Sequence, residues 1–142
     1  MIERLRVSEQ VAALDLSDVV SMLREAGRPR PWTLAQCDVV VPWYRRFLTL
    51  MQLQADTPWV PTTEIDEVWH QHILITKKYF EDCDRLFGQY LHHDPGFRPD
   101  APQYAGAFDD TIDSLERFGG SIAEMRADFA RFGNSLASLV RD

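Results

Sequence analysis

The chain has 142 residues, 45% apolar and 26% charged, a length and balance that suit one globular domain with a buried core. A net charge of −7 and an isoelectric point near 5.0 argue against a basic nucleic-acid footprint and against attraction to an anionic membrane surface. The longest apolar run, within "DVVVPWY", is too short to cross a bilayer, and "MIERLRVSEQ" lacks an apolar signal region, so a cytoplasmic protein is expected.

Helical signals dominate from the first residues onward, and no stretch alternates long enough to read as a strand. In "SEQVAALDLSDVVSMLREA", residues 8–26, Val11, Leu14, Val19, Val20, Met22 and Leu23 recur near helical spacing. Ser17 is a candidate N-cap that would split this run, and Gly27 reads as its C-cap. After the connector "GRPRPW", Thr33 can cap "TLAQCDVVVPWYRRFLTLMQLQ", whose buried stripe should hold Phe47, Leu48, Met51 and Trp43 or Tyr44. Pro42 inside that pattern predicts a kink or a restart near Val41. Cys37 lies in the apolar pattern and reads as a small core residue.

A second connector, "ADTPWVP", leads to threonines 62 and 63 and the first-turn acids Glu64, Asp66 and Glu67, which suit the positive end of a helix dipole. Thr76 is a candidate N-cap for a following helix that stops at Gly88. "HHDPGFRPDAPQYAG" is long for a simple connection. Two more helices follow, separated by Gly119 and Gly120. Phe108, Ile112, Leu115 and Phe118 make one face of the first; Met125, Phe129, Phe132 and Leu136 make one face of the second.

Chemistry-bearing residues crowd into one place. "DEVWHQHILITKKYFEDC", residues 66–83, holds His70, His72 and Cys83, and His92 and His93 follow closely. On one unbroken helix His70 and His72 diverge by about 200°. Cys83 would then sit roughly 20 Å along the axis from His70. A break at Ile75–Thr76 removes that obstacle, because a fold-back hairpin would carry Cys83 toward Asp66 and His70. Imidazole, thiolate and carboxylate together suit zinc, and also iron or copper. The spacing matches neither a CxxC nor an HExxH template. The bland alternative makes Asp66 a first-turn acid that orients His70, Cys83 a buried small residue, and the paired histidines loop residues. A Cys83–His70–Asp66 nucleophilic set uses the same atoms, but Cys83 would stand in mid-helix, where nothing lowers its pKa.

"VPTTEIDEVWHQHILITKKYFEDCDRLFGQYLHHDP" resembles the glycine-rich domain-containing protein-like family. The pattern is Asp66, Trp69, His70, His72, Leu74, Tyr79, Asp82, Cys83 and Gly88; "WYRRFLTL" upstream and "AFDDTIDSLERFG" downstream extend the likeness over roughly residues 30–119. The chain resembles the short bacterial members, with seven glycines and no glycine-rich tail. Ile75 stands where such members commonly carry Asp. The resemblance implies that the Trp-His-x-His and Asp-Cys segments belong together. It implies no settled activity.

These readings predict a single all-α domain over 1–142, an irregular bundle of about five or six helices ending in a helix over 121–141. Leu23, Phe47, Leu48, Trp69, Ile73, Phe87, Leu115 and Phe129 should lie in its core. The first functional expectation is a metal-binding domain with zinc, or else iron or copper. Its primary ligands would be His70 and Cys83, completed by His72, Asp66 and His92 or His93 and supported by Trp69, Tyr79 and Asp82. The second is a non-enzymatic interaction module whose histidines form a structural polar network, with a protein partner or a second copy bound through the C-terminal helices.

Overall fold

The computed structural model describes residues 4–93 and 102–141, with the backbone alone given for residue 103 and residues 134–141. Among the described residues the chain is helical throughout, with no strand. Seven α-helices follow in order: α1 Glu9–Ala12, α2 Ser17–Leu23, α3 Leu34–Leu53, α4 Thr63–Leu74, α5 Thr76–Phe87, α6 Ala105–Glu116 and α7 Ile122–Arg141. The count exceeds five or six because the N-terminal run forms two short helices. Residues 94–101 of the long loop and the Leu136 side chain lie outside the described residues.

The long α3 is the axis of the bundle, with α1, α2, α4, α6 and α7 packed against it. Its start is well specified. The Thr33 hydroxyl accepts from the Gln36 N–H while the Gln36 side chain accepts from the Thr33 N–H, a reciprocal capping box. Gln36 reaches further and donates to the Phe129 carbonyl of α7 at 2.9 Å. Pro42 does not restart the helix, which runs as one element from 34 to 53. Pro42 and Asp38 both lie on the exposed side, so the Asp38 carbonyl that loses its N–H partner faces water.

Boundaries elsewhere shift by a few residues for local reasons. Ser8 caps α1, whereas α2 begins at Ser17 itself, with Leu16 in the cap position. Between them the Arg45 guanidinium donates to the carbonyls of Val11 and Leu14, which takes over the end of α1 from α3. The second helix stops at Leu23, short of Gly27. Ile75, not Thr76, is the junction of α4 and α5. Gly88 closes α5 with a left-handed φ of 70°.

The core is one cluster. Leu23, Phe47, Leu48, Trp69 and Leu115 are buried in it; Ile73, Phe87 and Phe129 pack against it half-buried. The Thr111 hydroxyl, fully buried, donates to the Ala107 carbonyl and accepts from the Val60 N–H, which pins the 54–61 connector to α6. The face expected to meet a partner is largely used internally as far as Phe129: Ile122 and Met125 are buried, and Phe129 packs edge-on to Trp32 at 4.8 Å.

Candidate functional site

The break at Ile75 (φ −85°, ψ 71°) is present, and α4 and α5 pack on each other. The residues it brings together are not Asp66, His70 and Cys83. Trp69 meets Tyr79, and His72 meets Asp82. Both pairs are ten residues apart, so they advance in step along the two helices. A fold-back hairpin about residue 75 would pair them in the opposite order. The 200° divergence of the two histidines then decides their fates: His70 is exposed, while His72 is 1% exposed.

His72 is bonded through both ring nitrogens. The Tyr44 hydroxyl of α3 lies 2.7 Å from Nδ1, and Asp82 of α5 lies 2.8 Å from Nε2. Asp82 also receives Lys78, one turn earlier on α5, at 3.1 Å. An ionised Asp82 only accepts, so Nε2 carries the proton and Nδ1 accepts from Tyr44. Burial lowers the imidazole pKa below its usual 6.5, with the Asp82 hydrogen bond opposing. Burial likewise raises the Tyr44 hydroxyl well above its usual value. The arrangement is therefore neutral imidazole between a phenol and a carboxylate.

A second chain of bonds runs beside it. The Trp69 indole N–H donates to the Tyr79 hydroxyl at 2.9 Å, and that hydroxyl donates to the Leu91 carbonyl at 2.7 Å. Cys83, 1% exposed, sits within hydrogen-bond reach of Tyr79 and of the Leu91 backbone. Burial raises its thiol pKa, and those bonds oppose it without overcoming it. A protonated, enclosed thiol is a poor nucleophile and a poor ligand. The rings of Tyr44, His72, Tyr79 and Tyr90 meet edge to face in succession.

The remaining expected residues fall on the outer side. His93 stacks on Trp69 at 4.1 Å between ring centroids and pairs through Nε2 with Asp66. His92 is exposed and touches Tyr90 edge-on. Six residues read as one ligand set thus occupy three environments: His72 and Cys83 inside, Asp66 and His93 at the rim, His70 and His92 exposed. Among the described residues no three His, Cys, Asp or Glu side chains form a group that could hold a metal ion. Both ring nitrogens of His72 are engaged, by Tyr44 and by Asp82, and burial raises the Cys83 thiol.

Tyr44 is the member that sequence reasoning placed only in the apolar stripe. A signal for it existed: a tyrosine one turn from Phe47 and Leu48 on the buried face must find a partner for its hydroxyl.

The class of protein this defines is an all-helical domain whose central helix, α4–α5 pair and following segment are joined by a buried aromatic and polar network. A family model described as UCP032817-like matches residues 17–103, so the chain belongs to the UCP032817-like family. That span includes every residue of the network. No curated protein and no solved structure matches the chain. Among the described residues, no helix is long and apolar enough to cross a membrane.

Proposed function

We propose that this chain is a non-enzymatic, cytoplasmic helical interaction module, and that its histidine-rich stretch is the polar network that holds the module in shape. One observation carries the reading: both nitrogens of buried His72 are already taken by Tyr44 and Asp82. The resemblance to glycine-rich domain-containing proteins belongs to the same proposal. Trp69, His72, Tyr79, Asp82 and Cys83, five residues of that pattern, join in the two bond chains. A pattern maintained for packing accounts for them without a ligand. The interacting face we infer is Phe80 and Tyr90, 60% and 38% exposed and in ring contact beside the network. Two free, buried cysteines suit a reducing compartment.

Zinc, iron or copper held by His70, His72, Cys83, Asp66 and His92 or His93 is the competing proposal, and one experiment separates the two. Untagged protein should contain far less than one metal per chain, and chelator should leave its melting unchanged. Near-stoichiometric metal that disappears in His72→Ala and Cys83→Ala would establish the competitor instead. Sedimentation velocity over a concentration series then tests the face: self-association should be lost in Phe80→Ser/Tyr90→Ser. A strictly monomeric wild-type chain would remove the inferred face as a self-association surface.

A further inference from the structure

On the side of the bundle formed by the N-terminal segment and the α6–α7 corner, a cleft of about 380 Å³ is lined by Arg4, Leu5, Arg6, Val7, Arg46 and Phe118. It shares Arg4, Leu5 and Arg6 with a neighbouring cleft completed by Arg117. Four arginines across two adjoining clefts are unexpected in a chain of net charge −7. Among the described residues no carboxylate pairs with any of them. Glu116, the only acid between residues 116 and 122, accepts from the Ile122 N–H at the start of α7 instead.

The bland explanation is that arginines satisfy carbonyls at the end of α6, where the helix dipole favours cations. It covers part of the arrangement. Arg4 donates to the Phe118 carbonyl at 3.0 Å, and Arg46 to the Gly119 carbonyl at 2.7 Å. Each guanidinium has five N–H donors, so among the described residues these single bonds leave most of them without a protein acceptor. Arg6 and Arg117 are exposed and gain nothing from that explanation. Burial and the charge of Arg4 both disfavour the Arg46 cation, a mutual repulsion that an anion between them would relieve.

The corner is also shaped to bring Arg4 in. Gly119 has φ 104°, and a Cβ there would lie 2.4 Å from the Arg4 guanidinium. The Leu5 N–H donates to the Arg117 carbonyl at 3.0 Å, which fixes the segment carrying Arg4 and Arg6 against the corner. The Arg46 guanidinium carbon lies over the Trp43 ring, 4.1 Å from its centroid, which holds the side chain in place.

We propose that these two adjoining clefts together bind a small phosphorylated organic anion, its phosphate among Arg4, Arg6, Arg46 and Arg117 and its apolar part against Leu5, Val7 and Phe118. Guanidinium forks match phosphate oxygens in geometry, and the volume suits a small molecule. The overall negative charge opposes a flat anionic surface such as a membrane, but a local cluster of cations attracts a small anion. Titration calorimetry of the full chain at fixed ionic strength tests it, with phenyl phosphate set against benzoate and potassium chloride. Phenyl phosphate should bind saturably, one per chain, and more tightly than benzoate. Arg6→Gln/Arg117→Gln should weaken it at least about tenfold, since each charge-assisted bond contributes about that factor. The melting temperature of the ligand-free variant should stay unchanged, because neither side chain makes a hydrogen bond or ion pair among the described residues. Absence of saturable binding, equal affinity for benzoate, or unchanged affinity in the double variant would overturn the proposal.

Discussion

His72 shows how burial turns an ordinary donor set into a fixed one. Tyr44→Phe removes a single oxygen but leaves Nδ1 of a buried imidazole without a partner, which should cost about 1–3 kcal/mol in urea unfolding. The pH dependence follows from the same residue. In the unfolded chain the imidazole takes up its proton near 6.5; in the folded chain it stays neutral to lower pH. The unfolded state therefore binds more protons in that window. The contribution of His72 is complete above about 6.5 and is lost as pH falls through the lowered folded value. Urea midpoints of the wild type should drop from pH 7.5 to 5.5, and the drop should shrink in His72→Gln. An equal drop in both proteins would show that other groups carry the acid sensitivity.

At the scale of the element, end signals were legible where one residue decides the backbone, and less so where a neighbour does. Thr33, Thr62 and Gly88 act at their own positions: two caps by hydroxyl and one left-handed stop. Gly88→Ala should cost about 1 kcal/mol, from the φ of 70° alone, because no atom lies within 4 Å of the added carbon. Thermal melting checks this; an unchanged midpoint would mean the end of α5 relaxes freely. By contrast, the stop of α1 depends on Arg45 reaching across from α3, and continuity through Pro42 depends on which side of α3 faces water. Neither is written in the local residues. The break at Ile75 was legible, but its pairing order was not: it follows from the direction in which α5 leaves α4.

At the scale of the whole molecule, stability centres on α3. Phe47 is fully buried there and meets the Trp69 ring at 5.3 Å between centroids, beside the polar network. Phe47→Ala should cost about 3–5 kcal/mol by loss of contacts and creation of a cavity. Set against a typical domain stability of about 5–15 kcal/mol, that should leave a marginally folded chain with a lower denaturation midpoint. Little change in that midpoint would mean that the core collapses around the smaller side chain.

The all-helical class and the main core positions are determined by the sequence itself, while the association of the Trp-His-x-His and Asp-Cys segments came only from the family resemblance. Apolar spacing and end residues act over one or two turns, which is the range that local patterns encode. Which histidine is buried in the network was decided only by the tertiary structure, because His70 and His72 have the same chemistry and differ in which side of α4 meets α3 and α5. The same holds for Tyr44 and for the four arginines, drawn from residues 4, 6, 46 and 117 to two adjoining clefts. Their roles come from long-range packing, which sets burial, partner and charge together.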